Sequence, residues 1–252
     1  MDLQDPRFDA CRKATYIALD VSDWESAGGL VESLGPGVDG YKVGLELFHG
    51  DGERALSELA ERGKRIFLDV KLHDIPNTVA GALKSIARHP GVEMVNVHAA
   101  GGERMMLAAR EAIDGSWGSR RDRPLLIAVT VLTSLDENDL ESMGFAEDVT
   151  TVVARYAGLA AKCGLDGVVA SGREISIIRR EVSGAFEIVV PGTRPRGSDA
   201  QDQRRTMTPD EAYRTGATRL VMGRAVTKQA DAKAALTRIW QSMLEARPEV
   251  ER

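Results

Sequence analysis

The chain has 252 residues, 43% of them hydrophobic and 28% charged, and a formal net charge of −5. That make-up suits a globular protein with a sizeable core and argues against nonspecific binding to nucleic acid or anionic membranes, though a local basic pocket is compatible with it. Cys11 and Cys163 have neither disulfide-framework nor zinc-site spacing, no apolar run approaches the roughly 20 residues of a bilayer span, and residues 1–13 lack a signal-peptide core, so a cytoplasmic protein is expected.

A polar N-terminal arm leads into a first β-type run, 15–21, which carries Asp20. Ser22 or Asp23 then offers an N-cap for a helix over 24–34, stopped by Gly35-Pro36-Gly37. A second strand, 40–45, holds Lys42 in an apolar context, and Ala55, Leu56, Leu59 and Ala60 fall at helical spacing over 52–62, with Gly63 as C-cap. The third strand begins at Arg65 and is apolar until Asp69, Lys71 and Asp74 interrupt it. Ile75-Pro76 ends the extended run, Asn77 or Thr78 can open a helix, and the helical pattern covers 79–88.

The fourth strand is 93–98, ending on His98, with Gly101-Gly102 in the loop before a helix over 104–113. A surface loop, 115–123, precedes the fifth strand, 124–132, which ends at Thr133-Ser134. A short helix, 137–143, and a longer one, 149–163, lead to the sixth strand, 166–171, and its helix, 174–181. After the seventh strand, 185–191, comes a polar and basic loop, 192–207. Thr208-Pro209-Asp210-Glu211 is a capping box with proline at the first helical position, the helix stops at Gly216, and 218–223 is the eighth strand. A last helix, 228–244, precedes a charged tail that is expected to fray.

Eight strand-then-helix units without a composition shift predict a single-domain (β/α)₈ TIM barrel spanning 1–252. A doubly wound open sheet is the runner-up. It fits less well, because no Gly-x-Gly-x-x-Gly follows the first strand and Asp20 stands where a pyrophosphate would need open backbone.

In a barrel the strand ends share one face. That face would gather Asp20, Lys42, Asp69 with Lys71, His98, Thr133 with Ser134, Ser171, Pro191-Gly192 and Gly223-Arg224. Strand alternation points Asp69 and Lys71 to the same side, about 6.6 Å apart along the chain, so the two are expected to pair. Acids and bases alternate on three successive strands, which reads as a network. His98 is better read as a packed, hydrogen-bonded residue, and no Ser, His and acid set supports acyl transfer. Ser171 and Thr133 are expected to donate hydrogen bonds to a ligand. The late loops supply Arg194, Arg196, Gln203, Arg204, Arg205 and Arg224; a guanidinium directly behind Gly223 at a strand tip suits a phosphate monoester.

Ala18-Leu19-Asp20, Tyr41-Lys42-Val43-Gly44, Phe67-Leu68-Asp69-Val70-Lys71-Leu72-His73-Asp74-Ile75-Pro76-Asn77-Thr78, Val131-Leu132-Thr133-Ser134, Pro191-Gly192-Thr193-Arg194-Pro195 and Val221-Met222-Gly223-Arg224 carry a resemblance. Over nearly its whole length the chain resembles the orotidine 5′-monophosphate decarboxylase family. The third piece is the most specific, since Asp-x-Lys-x-x-Asp alone is shared with phosphosugar enzymes such as 3-keto-gulonate 6-phosphate decarboxylase. Thr193 departs from the pattern, standing where an aliphatic residue is expected.

The resemblance implies loss of CO₂ from orotidylate to give uridylate in pyrimidine synthesis, with no metal or organic cofactor. It implies a charged array of Lys42, Asp69, Lys71 and Asp74, with Lys71 protonating C6 of the pyrimidine. Asp20 and Lys42 would hold the ribose hydroxyls, with Asp74 and Thr78 reaching in from the partner of a homodimer and Ile75 also binding substrate. Thr133 would meet the pyrimidine, Arg194, Gln203, Gly223 and Arg224 would grip the phosphate, and Ser134 and Pro191 would also bind substrate. Two other functions compete: a magnesium-dependent phosphosugar decarboxylase or aldolase in which Asp69 is a metal ligand, and a catalytically silent phosphate-ligand binder.

Overall fold

Period-two alternation sorts the strand side chains into two apolar sets. Ile17, Tyr41, Val43, Leu68, Val95 and Ile188 belong to the core between strands and helices, whereas Tyr16, Ala18, Phe67, Met94, Ile127, Val189 and Val221 pack against one another inside a ring. Burial on both faces is what an all-parallel sheet requires. The computed structural model describes residues 2–117, 123–194 and 207–246. In it β1 (Thr15–Ala18), β2 (Gly40–Gly44), β3 (Arg65–Leu72), β4 (Val92–His98), β5 (Leu125–Val129), β6 (Gly167–Val169), β7 (Glu187–Pro191) and β8 (Arg219–Met222) pair in chain order, all parallel, and β8 closes on β1. This is a TIM barrel.

The helices are α1 (Asp9–Ala14), α2 (Trp24–Leu34), α3 (Leu45–Glu61), α4 (Pro76–Ile86), α5 (Gly102–Ser116), α6 (Glu137–Ser142), α7 (Val149–Lys162), α8 (Ile175–Glu181), α9 (Pro209–Thr215), α10 (Arg224–Thr227) and α11 (Ala232–Glu245). Among the described residues no helix is long and apolar enough to cross a membrane. Local chemistry sets their ends. Asp23 caps α2 by accepting from the Ser26 N–H, and the Thr208 and Glu211 side chains form a reciprocal capping box on α9, as the sequence predicts.

Several boundaries differ from the sequence reading, each for a local reason. Helix α3 starts at Leu45 rather than at residue 52, with a break at Asp51 (φ −150°, ψ 40°), because Gly50 and Gly52 weaken the pattern that would have announced it. Helix α4 starts at Pro76 itself, which occupies the first turn where no N–H is needed. The last helix, α11, starts at Ala232 rather than at residue 228, where Asp231 caps it, and the short α10 precedes it over Arg224–Thr227. Parts of the predicted loops 115–123 and 192–207 and of the charged tail lie outside the described residues.

The stretch ahead of β1, polar in composition, is helical and anchored. Leu3, Phe8 and Cys11 are fully buried, Phe8 packs on Trp240 with ring centroids 5.5 Å apart, and the Trp240 indole N–H donates to Thr15 Oγ1 at 3.0 Å. Trp240 thus ties α11 to β1 and to the N-terminal segment. A Trp240→Ala protein is expected to lose about 3–5 kcal/mol of unfolding free energy, read as a shift in the denaturant midpoint.

At the amino end of the strands, Arg65 Nη1 binds Glu93 at 2.8 Å and Arg65 Nη2 binds Asp39 at 2.9 Å, while the Tyr16 hydroxyl donates to Glu93. These groups close the floor of the barrel with their charges paired. The opposite, carboxyl end is open.

Candidate active site

The carboxyl ends of the strands surround a cleft of about 250 Å³. Phe67, Val129, Val169 and Val221 form its apolar base, and above them stand Asp20, Lys42, Asp69 and Lys71 on one side and Pro191, Gly192, Arg194, Gly223 and Arg224 on the other. Each of these residues lies on a strand or in the few residues after one, so the barrel alone brings together segments more than 200 residues apart in the chain.

Asp69 is the centre of the charged side. Its Oδ1 accepts from Lys71 Nζ at 2.6 Å, and its Oδ2 lies 3.5 Å from Lys42 Nζ, which also donates to Asp20 Oδ1 at 3.0 Å. Four charges therefore alternate in an unbroken chain, and each lysine is held between or beside carboxylates. Lys42 is only 9% exposed, and a Cβ at Gly44 would fall 2.6 Å from its Nζ. Glycine at position 44 is what leaves the ammonium its place.

The Asp69–Lys71 pair forms as the spacing predicts, but not on a regular strand. Leu68 is paired with Val95 and Leu72 with Val97, so Asp69, Val70 and Lys71 stand opposite Asn96 alone. Lys71 has φ +48°, the one non-glycine residue among those described with positive φ. For an L-residue with a long side chain that conformation is costly, on the order of 1–2 kcal/mol, and it persists only where neighbours hold it.

Burial by itself pushes the Asp69 carboxyl up, yet the charges of Lys42 and Lys71, with hydrogen bonds from Lys71 and Asn96, outweigh it and hold the group below the ordinary carboxylate range. Asp69 is therefore ionised at neutral pH. His98 is a packed imidazole: its Nδ1 accepts from the Ala100 N–H at 3.3 Å and its ring stacks on His73 at 5.4 Å. Burial lowers its pKa, and the neighbouring His73 and Lys71 act in the same direction, so it is neutral at physiological pH.

Across the cleft, Gly192 turns the chain with φ +69°, the Arg194 N–H donates to the Met207 carbonyl at 3.1 Å, and Gly223 and Arg224 begin α10. Thr133 lines the cleft between the two sides. The positions of the remaining predicted residues vary. Asp74, Ile75, Thr78 and Ser134 are exposed and do not line the cleft of this chain, with Ile75 67% exposed. Ser171 is fully buried and does not line the cleft, and its side chain accepts from the Arg173 N–H in a tight turn. Arg196, Gln203, Arg204 and Arg205 lie outside the described residues. Sequence reasoning missed Asn96, a fully buried amide beside Asp69; a polar side chain in the apolar run Val95-Asn96-Val97 was the available signal.

The family model for the orotidine 5′-phosphate decarboxylase / HUMPS family matches residues 15–239. The orotidine 5′-phosphate decarboxylase of Moorella thermoacetica is 51% identical over 221 residues, covering 87% of this chain and 87% of that protein. That of Sodalis glossinidius is 47% identical over 227 residues, covering 90% and 88% respectively. The crystal structure of the Lactobacillus acidophilus orotidine 5′-phosphate decarboxylase superposes with a TM-score of 0.81 at 32% identity, over 92% of this chain and 99% of that one.

Proposed function

The chain belongs to the orotidine 5′-phosphate decarboxylase / HUMPS family, and on that premise we propose that its single barrel domain works through the Lys42–Asp69–Lys71 array, with Lys71 as the group that meets the reacting carbon. It decarboxylates orotidine 5′-monophosphate to uridine 5′-monophosphate in pyrimidine biosynthesis. Loss of CO₂ leaves an electron pair in the plane of the pyrimidine at C6, where the ring π-system cannot accept it. Stabilisation has to come from a positive charge already aimed at that carbon. Lys71 supplies the charge and then the proton, and Asp69, 2.6 Å away, keeps the ammonium in place.

The single observation that carries this reading is the array itself: two lysines threaded between carboxylates at adjacent strand tips, facing arginines from β7 and β8 across the cleft. Arg194, Gly223 and Arg224, with Gln203, would take the phosphate; Asp20 and Lys42 would take the ribose, and Thr133, with Ser134 next to it, the base. Binding energy from the phosphate, remote from C6, orients the base and is realised in the transition state. Asp69 would also crowd the departing carboxylate, a contribution secondary to the lysine's charge.

The enzyme of this reading is a cytoplasmic homodimer. Both cysteines are buried and unbridged, as in a reducing compartment. Asp74, Ile75 and Thr78 are exposed and do not line their own cleft, and a second copy related by a twofold axis would receive them. The carboxylates of the array are already engaged by lysines, and among the described residues no group of three or more His, Cys, Asp or Glu is placed to hold a metal ion. Purified protein is expected to consume orotidylate, followed by its ultraviolet absorbance, at the same rate with and without EDTA. Loss of turnover in EDTA and its return with Mg²⁺ would instead make Asp69 a metal ligand and assign the site to the phosphosugar branch.

A further inference from the structure

The structure assigns to Asn96 the part of positioning residue for this reaction: its side-chain amide holds open the bulge on which Lys71 stands and fixes the rotation of the Asp69 carboxylate. The assignment rests on the reading of the cleft as a decarboxylation site. Because Asp69, Val70 and Lys71 face a single residue of β4, the ladder between the two strands cannot supply the Lys71 N–H with its usual partner. The Asn96 side chain takes that place, its Oδ1 accepting from the Lys71 N–H at 2.7 Å. Its Nδ2 donates to Asp69 Oδ1 at 2.7 Å. The amide has only one orientation that works, since reversal would set a donor against the N–H and an acceptor against the carboxylate.

Both contacts act on the reacting group. The first holds a backbone at φ +48° that a lysine does not adopt unaided. The second leaves Asp69 with one oxygen towards Lys71 and the other towards Lys42, so a single carboxylate spaces two ammonium groups. Asn96 does not line the cleft and is fully buried, which excludes direct contact with substrate in this arrangement. It is also inward-facing by the alternation of β4, directly above Met94 of the barrel core. Position 96 is thus where apolar core gives way to the charged tips, and an amide there serves both.

Two substitutions separate positioning from packing. Asn96→Leu keeps the volume and removes both hydrogen bonds; Asn96→Asp keeps an acceptor for Lys71 and turns the donor towards Asp69 into a second acceptor. Each is expected to bind uridylate with near wild-type affinity while kcat falls on the order of a hundredfold, since an ångström of misplacement has that effect, and KM changes little. In Asn96→Asp the added carboxylate beside Asp69 raises the pH at which the pair takes up a proton, so the acidic limb of the kcat profile should move to higher pH. Wild-type protein and Lys71→Ala run alongside: inactive wild type would sink the decarboxylase reading, whereas active wild type with an inactive Lys71→Ala tests Asn96 alone. A kcat within about threefold of wild type in either folded variant, a loss confined to KM, or failure of both variants to fold would each overturn the positioning role and leave Asn96 as core packing.

Discussion

A folded Lys71→Ala protein is expected to turn over orotidylate at least about 10⁴-fold more slowly than wild type, because one substitution removes both the proton donor and the charge at the carbanion. Such a factor corresponds to about 5.4 kcal/mol of transition-state stabilisation. The binding of uridylate should largely remain, since its phosphate is expected to be held on the other side of the cleft by Arg194, Gly223 and Arg224. Arg224→Ala is expected to give the complementary result. Charge-assisted hydrogen bonds contribute roughly 1.5–3 kcal/mol, so nucleotide binding should weaken about 10- to 100-fold with a much smaller change at saturating substrate. Single-turnover rates and uridylate titrations of the two variants distinguish these effects. An unchanged kcat in folded Lys71→Ala would remove the lysine from its assigned part, and equal kinetic signatures for the two variants would defeat the division into a reacting side and an anchoring side.

The barrel was legible because its strands are short apolar runs at regular spacing, each bounded by glycine, proline or capping residues whose local effect is strong. Asp23 and Thr208 cap helices where the sequence places them. The charged array was legible for the opposite reason: Lys42 and Asp69 are costly to bury and had to be paired. Less could be read where geometry depends on a neighbour strand. Period-two counting puts Asp69 and Lys71 on one face and is right about their pairing, but it contains nothing of the bulge, which is a property of the β3 and β4 register. Asn96 escaped notice for the same reason, since its partners come from β3. Ser171 looked like a ligand donor at a strand tip; it does not line the cleft, and its oxygen accepts from the Arg173 N–H in its own turn, a local use that composition does not announce. The N-terminal segment reads as polar by residue count, yet Leu3 and Phe8 are fully buried. A few apolar side chains in a charged stretch are enough to anchor it.

Mixing two inactive proteins, Lys71→Ala and Asp74→Ala, is expected to regenerate activity. Asp74 lies three residues beyond Lys71, past the end of β3, and its side chain is exposed, with Oδ1 accepting from the Ile75 N–H at 2.6 Å. Pro76 then sets the first turn of α4, and neither Ile75 nor Thr78, both exposed, lines the cleft of the same chain. If a twofold partner receives these residues, each site takes its lysine from one subunit and its Asp74 from the other. Either variant alone then has a lesion in every site. In a mixed dimer both lesions fall in one site and the other is whole. Random exchange at equal concentrations makes about half of the dimers mixed, so about a quarter of the wild-type sites should reappear, and turnover per subunit should rise to about that fraction. Exchange itself is followed by mass or by a tag on one variant, so that a slow dimer is not mistaken for a failed one. If mixed dimers form and turnover stays at the level of the separate variants, Asp74 acts within its own chain or not at all, and the shared site is wrong.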